Sequence, residues 1–263
     1  MKTQKELAFL RDLYIDEEWT LRFTNLVDKH LKFSDERRLL YINAGTGNHA
    51  LFLRDKIGKD TEMFATSEND DLMTIARDKA AAVKAKVDFS TRRFDDESFD
   101  AVLADASFVR PQDLRRFVTE AVRVSEKGGR VAFFTVTSGS FGEIFSFLWE
   151  ILFEEDLGEH GAAAENLISE IPSISHVEEI AAEAGLKNIE SHTENEIFEY
   201  KNGAEFVNST LVADFLMPVW LNFLTEKQKE RVCEKLAKIV DAESGDMSFR
   251  FSVKATLVTG EKR

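Results

Sequence analysis

From Leu39 onward, short apolar runs alternate with amphipathic stretches. The runs LLYIN (39–43), TEMFATS (61–67), KVDFS (86–90), FDAVLAD (99–105) and GRVAFFTVT (129–137) have the length of strands. Between them, helical stretches span Asn48 to Ile57, Asp70 to Val83 and Gln112 to Ser125. Such alternation predicts parallel βαβ units joined by right-handed crossovers. Ahead of them, Leu7 to Leu31 places Leu7, Leu10, Tyr14, Leu21 and Leu26 near helical spacing, predicting one or two helices that act as a cover.

After Val136 the pattern changes. Phe141 to Phe153 reads as a strongly apolar helix, followed by an acidic stretch from Glu154 to Glu165 and a helix His176 to Ala184 closed by Gly185. We read this as an inserted cap and a return to the sheet. A strand with an excursion then occupies 186–206, followed by the apolar pair LVADFL and MPVWLNFL, a charged amphipathic helix Glu226 to Val240 and a terminal alternating strand FRFSVKATLVTG. With no internal repeat and no linker, the expectation is one domain over 1–263: a helical cover (1–35), a core (36–137), a cap insertion (138–175) and the rest of the sheet with a helical excursion (176–263).

Composition narrows the function classes. Hydrophobic residues make up 43% and charged residues 31%, with only 3 Pro, which excludes collagen-like, low-complexity and mainly disordered chains. The net charge of −14 repels phosphate backbones and anionic lipid, so a small molecule rather than nucleic acid is the expected partner. Cys233 is the only cysteine, and no His/Cys cluster has metal-ligand spacing; a reducing compartment, the cytoplasm, and no bound metal are expected. The longest charge-free run, Val131 to Gly142, is too short for a membrane span, and the charged first twenty residues indicate no export. The acidic surface is compatible with a monomer or a homodimer.

The strongest local signal is LLYINAGTGNHALFL (39–53), an apolar strand, then Gly45-x-Gly47, then a helix. A sharp strand-to-helix turn needs residues without a Cβ, and a ligand resting there meets free N–H groups at the helix start. The alternative is a tight βα turn with no ligand. About twenty residues on, TEMFATSE ends in Glu68, where a carboxylate can accept hydrogen bonds from both ribose hydroxyls of a nucleoside. Asn69, Asp70 and Asp71 follow, so an acid at this place can also be a helix cap. Two cofactors fit: Gly45 to Ala50 reads as a G-x-G-x-x-A dinucleotide turn, or as the shorter turn that holds S-adenosylmethionine. None of Tyr14, Tyr41 or Tyr200 has Lys four residues later, which counts against a short-chain reductase.

Beyond the turn, FDDESFDAVLAD (94–105) followed by EAVRVSEKGGRV (120–131) resembles class I S-adenosylmethionine-dependent methyltransferases, in particular the branch that includes quinone-biosynthesis C-methyltransferases. The motifs run from about Leu39 to Thr137. The resemblance implies an α/β fold, a doubly wound, seven-stranded Rossmann-like sheet of order 3-2-1-4-5-7-6 with the last strand antiparallel. It implies that Asn43, Ala44, Gly45 and Gly47 approach the methionine part of S-adenosylmethionine and that Glu68, with Asn69 beside it, holds the ribose. Asp88 and Phe89 fall near adenine, Phe89 alternatively in the core, and Asp105 at the methionine end or the substrate mouth. The chain departs from the family where an acid and the first of three glycines are usual: Tyr41 and Asn43 stand there. Asn tolerates left-handed backbone, whereas Tyr41 removes a carboxylate that orders the methionine amino end.

The expected activity is methyl transfer to a small, apolar or aromatic acceptor, leaving S-adenosylhomocysteine. Ser138, Ser140, Phe141 and Phe145 lie at the rim where the carboxyl ends of strands place a substrate. The Phe141, Phe145, Trp149 and Phe153 ladder reads either as a pocket lining or as the core face of a helix. No residue is assigned as a base; His160 sits in the acidic insertion. The alternatives are a noncatalytic module that keeps the adenosylmethionine fold, and a nicotinamide oxidoreductase.

Overall fold

The computed structural model describes residues 2–33, 36–91, 93–245 and 247–263. Seven strands form one mixed sheet in the order β3-β2-β1-β4-β5-β7-β6: β1 Arg38–Ile42, β2 Glu62–Ala65, β3 Val87–Phe89, β4 Phe99–Asp105, β5 Ser125–Thr137, β6 Leu186–Tyr200 and β7 Phe249–Lys262. Strands β1 to β5 pair in parallel, with Leu40 opposite both Phe64 and Val102. This is the fold the resemblance implied.

Alternation along the strands buries both faces of the sheet, as parallel pairing requires. On one face Leu40, Val102, Ala104 and Phe133 pack with Leu114, Val118 and Val122 of α5 (Pro111–Val124) and with Val177 and Ile180 of α8 (Ile174–Glu183). The intervening helices α3 (Asn48–Lys56) and α4 (Asp70–Val83) fall close to their expected bounds. Gly128 and Gly129, at the start of the fifth apolar run, lie inside β5: pairing jumps from Phe99 opposite Ser125 to Ala101 opposite Arg130, a bulge in the ladder.

The N-terminal segment forms one unbroken right-handed run, α1 (Gln4–Leu10), a wide π-helical stretch Arg11–Thr20, and α2 (Leu21–His30). In the wide stretch the Leu21 N–H bonds the Asp16 carbonyl five residues back. The looser winding moves the buried face off the expected stripe. Tyr14 and Leu21 are exposed, and the inward side chains are Arg11, Ile15, Trp19 and Phe23, four residues apart. Trp19 lies 5.1 Å from Phe23, which stacks on Phe134 of β5 at 5.9 Å.

The chain gathers into two compact units: residues through Val136 with Ser173–Glu194 and Ala255–Arg263, and Thr137–Pro172 with Asn195–Lys254. The second contains α6 (Gly142–Glu154), α7 (Gly161–Ser169), α9 (Gly203–Asn208), a π-helical Leu211–Leu216, α10 (Met217–Trp220) and α11 (Glu226–Ser244). The cap thus folds with the later excursion. Among the described residues no helix is long and apolar enough to cross a membrane.

Candidate functional site

The glycine turn adopts the backbone its residues allow. Asn43, Gly45 and Gly47 have φ of 58°, 58° and 85°, all left-handed. Gly47 precedes α3, and a Cβ there would sit 2.8 Å from the Phe89 ring and 3.0 Å from Ala76. The turn is tied to the neighbouring strand ends: the Ala44 N–H donates to the Thr66 carbonyl (2.7 Å), Ser67 Oγ donates to the Gly45 carbonyl (2.7 Å), and Asn43 Nδ2 donates to the Asp105 carbonyl (3.2 Å).

Glu68 lies three residues past the end of β2, rather than within the strand as the hydropathy pattern has it. Asn69 caps α4, its Oδ1 accepting from the Leu72 N–H at 3.0 Å, so the capping task does not fall to Glu68. Asp105 ends β4, is 3% exposed, and accepts at Oδ1 from the Ser107 N–H at 2.8 Å. Burial pushes its carboxyl up to about 6, against the opposing pull of Arg11, with Glu68 adding to the rise.

Sequence reasoning missed Arg11. Its guanidinium reaches from the wide helical stretch into the space between the turn and the two acids. Nη1 is 2.6 Å from Glu68 Oε1, Nη2 is 3.8 Å from Asp105 Oδ2, and Cζ sits 4.9 Å from the centre of the Phe108 ring. A Cβ on Gly45 would lie 3.4 Å from its Nε and Nη2. The signal available was an arginine four residues from Ile15 and eight from Trp19, a cation within an apolar face. Asp16 was missed too. It accepts from Thr46 Oγ at 3.0 Å and from Asn48 Nδ2, and Lys79 bonds both Asn48 Oδ1 (2.5 Å) and Asp12, so the helix is laced to the turn.

Tyr41, at the place of the family's acid, is buried below the turn. Its hydroxyl lies 3.1 Å from His49 Nδ1, and His49 Nε2 lies 3.7 Å from Asp28 of α2. Burial, reinforced by Asp105, Asp16 and Glu68, holds the phenol well above its ordinary range, so it is neutral. Asp88 is exposed on β3, while the buried Phe89 lays its ring against Gly47.

The four rim residues all lie in the second compact unit. Ser138 is exposed. Ser140 Oγ is used internally, donating to the Thr137 carbonyl (2.7 Å) and accepting from the Lys254 N–H (2.8 Å). Phe141 and Phe145 are 5% and 2% exposed and pack on Trp220 at 5.1 and 5.5 Å. These two rings serve the core face of α6. Outward, Trp149 and Phe153 are exposed, so the ladder does not line one surface. His160 sits 5.5 Å from Phe223.

Residues 40–133, from β1 to β5, match the methyltransferase domain family. No curated protein matches the chain. Among solved structures, it is similar to the YcgJ protein of Bacillus subtilis (17% identity, 92% of this chain and 99% of that one, TM-score 0.58). It is also similar to a putative methyltransferase of Bacillus halodurans (16%, 92% and 97%, TM-score 0.56). A third likeness is to the Haemonchus contortus phosphoethanolamine N-methyltransferase 2 in complex with S-adenosyl-L-methionine (13%, 99% of this chain and 58% of that one, TM-score 0.56). The matched segment carries the strands and the glycine turn that build this site, and over it the chain is similar to the methyltransferase domain family.

Proposed function

We infer that the chain methylates a small molecule, holding S-adenosylmethionine between the Gly45–Gly47 turn, Glu68 and Asp105. The observation that carries this reading is the convergence of two carboxylates from different strand ends on bare main chain, around one buried cation. A site that holds a guanidinium is electrostatically suited to a ligand bearing a sulfonium and an ammonium group. The same acids disfavour the nicotinamide alternative, because a pyrophosphate at the start of α3 would meet Asp16, Glu68 and Asp105.

In this reading Glu68 accepts from the ribose hydroxyls, Gly45 and Gly47 let the methionine end approach the backbone, and Asp105 faces that end. Phe89 and Asp88 border the adenine side. When bound, the cofactor supplies an electrophilic methyl group. The protein's part is to align it with the acceptor, since orientation at near-attack distance contributes up to about 7–11 kcal/mol. Phe141 and Phe145, engaged in packing, lend no support to an aromatic acceptor, so the class stays at small molecule, in keeping with the net charge of −14. The lone Cys233 supports a cytoplasmic setting.

The test is release of S-adenosylhomocysteine from S-adenosylmethionine across a panel of phenol, amine, carboxylate and carbon-acid acceptors. Turnover that is lost in Glu68→Ala supports the reading. Tight cofactor binding without turnover on any acceptor favours the noncatalytic module.

A further inference from the structure

The cradle just described already contains a side chain of the protein. Arg11 is 6% exposed, and its Nε and Nη2 have no hydrogen-bond acceptor among the described residues, although the group is charged and lies against two acids. A buried guanidinium with unused donors is a costly arrangement. Its one short contact, Nη1 to Glu68 Oε1, uses the carboxylate assigned above to the ribose hydroxyls. The guanidinium also lies across Gly45, where the methionine end would rest. Arg11 and the ligand therefore compete for the same atoms.

The segment that delivers Arg11 is suited to exchange. Ten consecutive residues, Arg11–Thr20, wind as π-helix, a form that mostly occurs as single turns and recurs at functional sites. The outer side of the cover leaves Phe9, Leu13, Tyr14 and Leu21 exposed, so the inner contacts alone hold it. Those contacts are ion pairs and hydrogen bonds near the turn (Arg11 with Glu68 and Lys79 with Asp12 as ion pairs, Asp16 accepting from Thr46 and Asn48) and apolar farther on at Trp19 and Phe23. The arrangement favours a hinge in the wide stretch, with the aromatic end as the anchor.

We propose that Arg11 is an internal competitor of the cofactor, a cationic plug that holds the cradle and withdraws from Glu68 when S-adenosylmethionine binds. The proposal rests on the cofactor reading above. Withdrawal leaves Glu68 and Asp105 facing the positive groups of the ligand in place of the guanidinium. Apparent affinity is then the intrinsic affinity multiplied by the fraction of chains with Arg11 withdrawn.

Two measurements with S-adenosylhomocysteine as the probe test this. In the first, calorimetric titration compares wild type with Arg11→Met, which keeps the apolar stem and removes the charge; the variant is expected to bind about 10- to 100-fold more tightly. In the second, hydrogen exchange of the wild-type protein is followed over residues 11–20, and saturating ligand is expected to speed exchange there while slowing it at the glycine turn. If Arg11→Met does not fold, the wild-type exchange decides alone. Equal or weaker binding by Arg11→Met, or slower exchange over 11–20 with ligand, overturns the plug while leaving the cofactor reading intact. Failure of both proteins to bind overturns the cofactor reading itself, and the plug with it.

Discussion

Replacing Gly47 by alanine probes the turn where backbone conformation and packing meet. The residue has φ of 85°, a conformation that costs an L-residue about 1–2 kcal/mol. The new methyl would also lie 2.8 Å from Phe89 Cζ and 3.0 Å from Ala76 Cβ. Phe89 is 5% exposed and cannot swing away, so overpacking adds about 1–3 kcal/mol. The total expected loss is about 2–5 kcal/mol, the sum of those two costs. Urea titration monitored by hydrogen exchange at β1 and β4 amides, within the same compact unit, measures it. A double-mutant cycle with Phe89→Leu separates the two parts: relief of the steric part should make the pair less destabilising than the sum of singles by about 1 kcal/mol or more. A loss below about 1 kcal/mol, or strict additivity with Phe89→Leu, refutes the assignment of Gly47 to a strained turn closed by that ring.

Three further outcomes follow from the same geometry. Asp105 has a folded-state pKa of about 6, above its unfolded value, so its contribution to stability is fully present below about pH 4 and is lost as pH rises through 6. Relative to Asp105→Asn, wild type should lose about 2–3 kcal/mol between pH 4 and pH 7, measured by urea midpoints at each pH; a flat difference contradicts the burial argument. Asn69→Ala should destabilise α4 by about 1 kcal/mol in exchange experiments while Asn69→Asp stays near neutral, because only the side-chain oxygen at the cap is used. Trp19→Ala should cost about 3–5 kcal/mol, since Trp19 is 1% exposed and packs on Phe23 and Phe108.

The sheet was legible because its strands are short apolar runs separated by amphipathic helices, a pattern set by backbone period and little altered by context. Its order came from the family resemblance, as no local signal carries strand order. The glycine turn was legible because its left-handed backbone at Gly45 and Gly47 calls for residues without a Cβ. The cover helix was misread for a physical reason: a wide helix brings side chains four apart to one face, so Arg11, Ile15, Trp19 and Phe23 point inward where a 3.6-residue period selects Tyr14 and Leu21. Arg11 escaped for a related reason. A charged residue in an amphipathic helix is ordinarily assigned to solvent, and only the placement of Glu68 and Asp105 shows why this one turns inward. Likewise, the aromatic spacing of Phe141 and Phe145 does not distinguish a pocket wall from a core face; Trp220, distant in sequence, makes the difference.

The central claim is that Glu68 grips the sugar of an adenosyl ligand seated on the glycine turn. Calorimetric titration of S-adenosylmethionine into wild type and Glu68→Ala tests it most directly. The account predicts one site per chain in wild type and a loss of about 10- to 100-fold or more in affinity for the variant, the loss of a charge-assisted pair of hydrogen bonds. Equal affinity in the two proteins would contradict it.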